Sequence, residues 1–172
     1  MRSGTSGLGR AHLKFATKAT ILIVALGSVF ALSAGAEDVT RAGYKEMAEP
    51  ICRANVEANE RILIGVRSEV KQGKLELAAR RFHRAASALH GTWEELKRLP
   101  RPQADGDRLG RWLGFIADEV GLLERTKRYL AAGQKGAAEG MVVRLKSVAN
   151  RANNAVFAFE FEYCRLDPAR FT

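Results

Sequence analysis

The sequence predicts an all-α protein: an up-down-up-down four-helix bundle preceded by an N-terminal signal or anchor helix. Apolar residues recur at alternating steps of three and four in four long segments, which is the period of an amphipathic helix. Strand signals are scarce, since we find no run of β-branched and aromatic residues alternating at period two between turn residues. The composition, 47% hydrophobic and 27% charged over 172 residues, is typical of one globular domain with its own core.

The first 36 residues have the layout of a secretory signal peptide. A basic start is followed by an uncharged run from Ala19 to Ala34, and Ala34-Gly35-Ala36 fits a small-x-small cleavage site. The uncharged run is shorter than the roughly 20 residues of a comfortable membrane span. Two interpretations stay open: cleavage that leaves residues 37–172 as the mature domain, or an uncleaved membrane anchor formed by residues 19–36. Either one predicts an extracytoplasmic domain, secreted or held at the cell envelope.

The first helical segment is expected from about residue 41 to residue 72. Thr40 fits the role of N-terminal cap, and Gly73 is a suitable stop. Pro50 cannot donate a hydrogen bond to the carbonyl of Glu46, so we expect the helix to kink or restart there. The second segment is expected over residues 75–99, ending before a proline.

The third segment begins near Asp105 or Asp107 and runs to about residue 132, with a buried side that extends from Leu109 to Leu130. The three connections, of roughly three to eight residues each, favour antiparallel neighbours. The predicted bundle therefore places each helix beside the one that follows it.

The fourth segment, from Met141 to Cys164, organises the predicted fold. Its seam consists of Met141, Leu145, Val148, Ala152, Ala155, Phe159 and Tyr163. These steps predict one continuous helix over the whole segment. We expect this last helix to lie against the first helix, head to tail.

Cys52 and Cys164 are the only cysteines. In the predicted bundle the start of the first helix meets the end of the last one, and two cysteines in an exported chain are most simply one disulfide. Two free buried thiols are the alternative. A catalytic thiol is disfavoured, because no Cys-x-x-Cys motif is present and no histidine lies near either cysteine in the sequence.

Three asparagines are candidates for a buried polar cluster. Asn55 and Asn59 are one helical turn apart, and antiparallel register with the last helix brings Asn154 to within about a turn of Asn59. A buried amide cluster of this kind can fix helix register at some cost in stability. Ligand binding by the same amides is an alternative.

The charge of the chain is +9, but it is unevenly distributed. Four of the 28 basic residues precede the uncharged run and all 19 acidic residues follow it, which leaves +5 for the mature domain. This value is too low to indicate nucleic-acid binding without a concentrated patch.

Two basic clusters on the second and third segments are candidates for a patch that binds an anionic cell-wall polymer or a membrane surface. They consist of Arg80, Arg81, Arg84, Arg125, Lys127 and Arg128. The alternative is an ordinary solvated surface.

The sequence predicts no catalytic, cofactor or metal site. His83 and His90 are about 10 Å apart along a helix, too far to share a metal ion. His90 and Glu94 would form only half of a site. Glu160 and Glu162 would lie about 200° apart on a helix, so they cannot converge as an acid–base pair, and the adjacent acids Asp118-Glu119 and Glu94-Glu95 fail for similar reasons.

Three motifs resemble those of uncharacterised exported helical proteins of actinobacteria that carry two cysteines. The motifs are Tyr44-x3-Ala48-x2-Ile51-Cys52-x2-Asn55, the turn Leu96-x2-Leu99-Pro100-x-Pro102, and an aromatic run of Phe157, Phe159, Phe161 and Tyr163 before Cys164. The chain departs from the group at Pro50, where an alanine is usual, and it lacks the cysteine of a lipoprotein box. The resemblance implies a helical bundle at the cell envelope and implies no activity.

The leading hypothesis is therefore a non-enzymatic binding or structural module at the cell envelope. The second is a sensor or carrier that binds a small ligand or a metal ion between helices. The third is a small enzyme. The sequence leaves the partner of such a module unidentified.

Overall fold

A computed structural model describes residues 38–167 of the chain, and every regular element in this range is helical. Five helices follow one another: α1 (Arg41–Leu63), α2 (Val66–Lys71), α3 (Leu75–Arg98), α4 (Gly106–Ala131) and α5 (Lys135–Ala155). Short 3₁₀ turns occupy Gln103–Asp105 and Phe157–Phe159. The predicted signal or anchor, residues 1–36, lies outside the described residues.

The all-α prediction is confirmed for the described range, and four of the helices are long. Helix α1 packs against α3, α3 against α4, and α4 against α5, while α2 lies on α3. The buried interior runs through all of these contacts. Its largest fully buried side chains are Trp112, Tyr44, Leu96, Leu109, Ile116, Leu130, Val156 and Cys164.

The first predicted segment is correct in extent but is divided at a different place. The Thr40 hydroxyl accepts a hydrogen bond of 3.0 Å from the backbone N–H of Gly43, which confirms the cap. Helix α1 does not restart at Pro50, which lies inside it. Pro50 is exposed, and so is Glu46, whose carbonyl loses a partner there. The helix is interrupted instead at Gly65, where φ is 80°, a value that favours glycine.

The fourth predicted segment is wrong beyond residue 155. Helix α5 contains the seam from Met141 to Ala152 but ends at Ala155, and residues 156–167 form an irregular segment that we call the C-terminal tail. In the tail, Phe159 and Phe161 are buried whereas the residues that follow each of them are exposed. A helix would turn the two rings about 200° apart. The left-handed backbone of Glu160, where φ is 52°, breaks the helical turn between them, and the two ring centroids are 5.3 Å apart.

The expected contact between the first and last helices is also wrong. Direct contacts between α1 and α5 are few. The tail runs alongside α1 instead, since Phe159 meets Tyr44 near the start of α1 and Cys164 meets Cys52 two turns later. The tail therefore provides the contact with α1 that we had assigned to the last helix.

An ion pair between an exposed arginine and a buried carboxylate holds the start of α1 against the turn that precedes α4. The carboxylate of Asp105 accepts hydrogen bonds of 2.9 and 3.0 Å from the guanidinium of Arg41. The Asp105 side chain is only 5% exposed, so this pairing compensates for its removal from water. The predicted start of the third segment near Asp105 is confirmed.

Candidate functional site

The two cysteines are paired, as the sequence predicts. The Cα atoms of Cys52 and Cys164 are 5.0 Å apart, the Sγ atoms are 2.02 Å apart, and both residues are buried. The bond joins the middle of α1 to the tail rather than joining two helix ends. Its main structural effect is to hold the tail on the bundle.

Polar contacts from α1 fix the tail at its exposed edge. The carboxylate of Glu49 accepts hydrogen bonds from the backbone N–H groups of Glu162 and Tyr163, the second of 2.8 Å. The Lys45 ammonium donates a hydrogen bond of 2.6 Å to the carbonyl of Glu160. These contacts satisfy backbone groups that a helix would have paired internally.

Aromatic rings fix the buried edge of the tail. The ring centroids of Tyr44 and Phe159 are 5.8 Å apart, and those of Trp112 and Phe161 are 5.5 Å apart. Each ring pair adds about 0.5–1.5 kcal/mol beyond the area that it buries. The aromatic run is therefore a packing feature of the tail.

The predicted asparagine cluster is present only in part. The Asn59 amide donates a hydrogen bond of 2.9 Å to Oδ1 of Asn55, and Asn59 is 6% exposed. Asn154 is exposed and takes no part in this pair, because α1 and α5 are separated by the tail. Its neighbour Asn153 is the residue that faces inward, and it bonds to the tail at Leu166.

The predicted basic patch is also brought together only in part. Arg80, Arg84 and Lys127 line one shallow concavity between α3 and α4. Acidic groups offset much of this charge, because Glu124 lies 3.6 Å from Lys127 and its Oε1 lies 2.8 Å from Nδ1 of His83. Arg125 and Arg128 are exposed on α4 but do not line the concavity.

Arg81 is not a surface residue, contrary to the predicted patch. Its Nη1 donates a hydrogen bond of 2.8 Å to the carbonyl of Ile62, and its Nε lies 2.8 Å from a carboxylate oxygen of Glu69. The side chain is only 21% exposed. Arg81 thus connects the end of α1 and the short helix α2 to α3.

Helix α2, held in this way, forms one wall of an apolar groove with a volume of about 340 Å³. Small-molecule sites have volumes of about 300–1,000 Å³. The groove lies between α2, α3, α4 and the start of α5. Its lining consists of Val66, Arg67, Val70, Lys71, Phe82, Thr126, Leu130, Lys135, Ala138, Glu139 and Val142.

The charged residues of the groove are mainly basic. Arg67 and Lys71 are exposed on α2, and the side chain of Lys135 is 47% exposed on α5. The single acid, Glu139, lies 4.0 Å from Lys135 and partly offsets it. The groove therefore combines an apolar interior with a net positive rim. The sequence analysis missed it because its residues come from four helices.

A buried carboxyl group was also missed. Glu119 on α4 is 4% exposed, and its Oε1 has no hydrogen-bond partner within residues 38–167. Burial, followed by the negative charge of Asp118, raises the pKa of Glu119 to about 8. The signal was visible in the sequence: Glu119 stands three residues after Ile116 and four before Leu123, which are both buried.

Residues 38–167 show neither a cluster of metal ligands nor a membrane-spanning helix. No group of three or more His, Cys, Asp or Glu side chains there is arranged to hold a metal ion. No helix in this range is both long and apolar enough to cross a membrane.

Comparison with known proteins gives no family for this chain. No protein-family model matches it, and neither curated proteins nor solved structures give a match. The resemblance to exported actinobacterial proteins therefore stays a prediction.

Proposed function

We propose that this protein is an exported, non-enzymatic bundle that binds a single-chain amphiphile with an anionic head group, such as a fatty acid. The observation that carries the proposal is the groove of about 340 Å³ beneath α2, with its apolar lining and basic rim. An acyl chain would lie on Val70, Leu130 and Val142. Its carboxylate would stay at the rim, within reach of Lys71 and Arg67.

Export belongs to the same proposal. The mature domain is residues 37–172 in an up-down-up-down order, released by signal cleavage or held at the envelope by residues 19–36. The disulfide supports an oxidising compartment, since disulfides persist outside the cytoplasm and are rare within it. The resemblance to exported actinobacterial proteins points to the same location.

The test compares three probes that share a ten-carbon chain: decanoate, decanol and decyltrimethylammonium. Calorimetry with the purified, oxidised protein should give saturable binding of decanoate, weaker binding of decanol and the weakest binding of the cation. The expected order follows from the basic rim, because a cationic head would be repelled by Arg67 and Lys71. Equal affinity for the three probes, or no binding of any, would contradict the proposal.

Two variants locate the site. Val70→Trp places a large ring in the groove and should abolish decanoate binding, whereas Val143→Trp, on the 71% exposed neighbour of Val142, should not. The double variant Arg67→Glu and Lys71→Glu should reverse the preference between decanoate and the cation. Arg144→Glu, an exposed change on α5 outside the groove, is the matched control for charge.

A further inference from the structure

A second, smaller cavity lies behind the groove. Phe82 and Val142 line both spaces, so these two side chains separate the groove from an inner chamber of about 60 Å³. A water molecule needs roughly 10–15 Å³ measured in this way, so the chamber has room for a few non-hydrogen atoms. It is lined by residues of α1, α3, α4, α5 and the tail, and it is partly open to solvent.

The chamber contains two polar atoms without partners. Oε1 of Glu119 and Oδ1 of Asn59 are buried and have no hydrogen-bond partner among the described residues. The amide nitrogen of Asn59 is already used, since it donates to Asn55. An unpaired buried polar atom costs about 1–3 kcal/mol. The lining of the chamber therefore includes a carboxyl oxygen and an amide oxygen that are both buried and unpaired, and each of them lowers the stability of the protein.

The charge of the lining defines the kind of ligand that would fit. Glu119 is the buried ionisable residue of this lining, and among residues 38–167 no lysine or arginine lines the chamber. Asp167 also lines it, but this residue is exposed and has a contact of its own. The remaining lining, apart from Asn55 and Asn59, is apolar. It consists of Leu63, Phe82, Ala85, Leu89, Leu123, Val142, Leu145 and Leu166. A ligand that satisfies this chamber needs N–H donors, a positive charge and a short apolar part.

We propose that the chamber binds a small organic cation, a short-chain primary alkylammonium ion. Its N–H groups would donate to Glu119 and Asn59, and its alkyl group would lie against Leu89 and Leu123. A metal ion fits less well, because the chamber offers few carboxylates and mostly apolar walls. The site is independent of the groove proposed for anionic amphiphiles, since none of its polar residues lines that groove.

Binding of a cation should depend on pH. An ammonium ion pairs with the carboxylate form of Glu119, whereas burial keeps this group protonated up to a pKa of about 8. Among the described residues, the other charged groups near it are Asp118 on α4 and Asp167 on the tail, and Asp167 already has a partner of its own. Helix α1 contributes amides, and α3 and α5 contribute apolar side chains. The affinity should therefore rise about tenfold per pH unit up to about pH 8, with release of one proton on binding.

The experiment uses ethylammonium chloride as the probe and the purified, oxidised protein. Calorimetry at pH 6, 7, 8 and 9 should show saturable binding that strengthens with pH up to about 8. Sodium and calcium chloride at matched ionic strength, and ethanol as a neutral analogue, should not compete. Absence of saturable binding at pH 9, competition by the metal ions, or an affinity that does not change with pH would overturn the proposal.

Two isosteric variants assign the site. Glu119→Gln removes the charge and should weaken ethylammonium binding at pH 8 by at least about tenfold, the factor that corresponds to 1.4 kcal/mol. Asp118→Asn removes the adjacent, exposed carboxylate and should retain the binding. Equal binding by wild type and Glu119→Gln would place the cation elsewhere and refute the assignment.

A measurement on the wild-type protein covers the case in which Glu119→Gln fails to fold. The carboxyl carbon of Glu119, followed by NMR, should titrate near pH 8 in the free protein. Saturating ethylammonium should lower that pKa, because the bound cation favours the carboxylate. An unchanged titration would refute the proposal even if no variant could be purified.

Discussion

Asn153 on α5 and Leu166 in the tail form a reciprocal pair of hydrogen bonds. The amide nitrogen of Asn153 donates to the Leu166 carbonyl, its Oδ1 accepts from the Leu166 N–H, and both distances are 2.8 Å. A single side chain thus satisfies both backbone groups of one residue in a part of the tail that is not helical. Together with the disulfide, this pair fixes the tail between α1 and α5.

We expect Asn153→Ala to release the end of the tail. Loss of two hydrogen bonds, at about 0.5–1.5 kcal/mol each, should lower the unfolding free energy by about 1–3 kcal/mol. Hydrogen exchange at the Leu166 amide should become faster. Asn154→Ala is the control, since Asn154 is exposed, and it should leave both measurements unchanged. Equal effects of the two variants would mean that the pairing does not hold the tail.

Removal of the disulfide should have the largest effect on stability. The bond between Cys52 and Cys164 closes a loop of 112 residues, for which the chain-entropy model gives about 5 kcal/mol. At about 2–4 °C per kcal/mol, the double variant Cys52→Ser and Cys164→Ser should melt about 10–20 °C lower than the oxidised protein. Reductant should lower the melting temperature of the wild type but not that of the variant. A wild-type melting temperature unaffected by reductant would contradict this prediction.

Stability should fall as the pH rises from the ordinary carboxyl range towards 8. Between the usual pKa of 4.5 and the folded-state pKa of about 8, the folded protein keeps a proton on Glu119 that the unfolded chain releases. The folded state therefore binds more protons, and stability falls by at most about 1.4 kcal/mol per pH unit from this group. The free energy of unfolding, measured with urea at several pH values, should fall less steeply with pH in Glu119→Gln than in the wild type. Asp118→Asn should keep most of the wild-type dependence on pH.

Arg81→Met should loosen α2 and weaken the groove. The change removes the hydrogen bond to Ile62 and leaves Glu69 without its cation, at an expected cost of about 1–3 kcal/mol. Exchange of the amides of residues 66–71 should accelerate, and decanoate affinity should fall. Arg84→Met removes an exposed arginine of the same helix and is the control. If the amides of α2 exchanged in Arg81→Met at the wild-type rate, Arg81 would not be the residue that holds α2 in place beside the groove.

Tyr44→Phe should stabilise the protein. The Tyr44 hydroxyl is buried without a hydrogen-bond partner in residues 38–167, and burial raises its pKa to about 12 against a smaller opposing effect of Arg101. Removing an unsatisfied hydroxyl while keeping the ring should increase the unfolding free energy by about 1 kcal/mol. Tyr163→Phe, a change in the half-buried tyrosine of the tail, should have little effect in the same thermal melts.

The sequence alone determined the helical class, the extents of α3 and α4, the cap at Thr40 and the identity of the disulfide partners. These features follow from local causes: the spacing of apolar residues, the chemistry of one capping hydroxyl and the presence of two cysteines. Local spacing could also have identified Glu119, which stands in the buried seam of α4.

Only the tertiary structure decided how the C-terminal tail packs against α1. The aromatic residues after Ala155 fit a helical seam and an alternating extended pattern equally well when read alone. The segment leaves the helix because Tyr44 and Trp112 pack against Phe159 and Phe161, and because Glu49 satisfies the backbone of the tail. The groove and the inner chamber arise in the same way, from helices distant in sequence. Contacts between distant segments leave no period in the sequence, so residue spacing could not predict them.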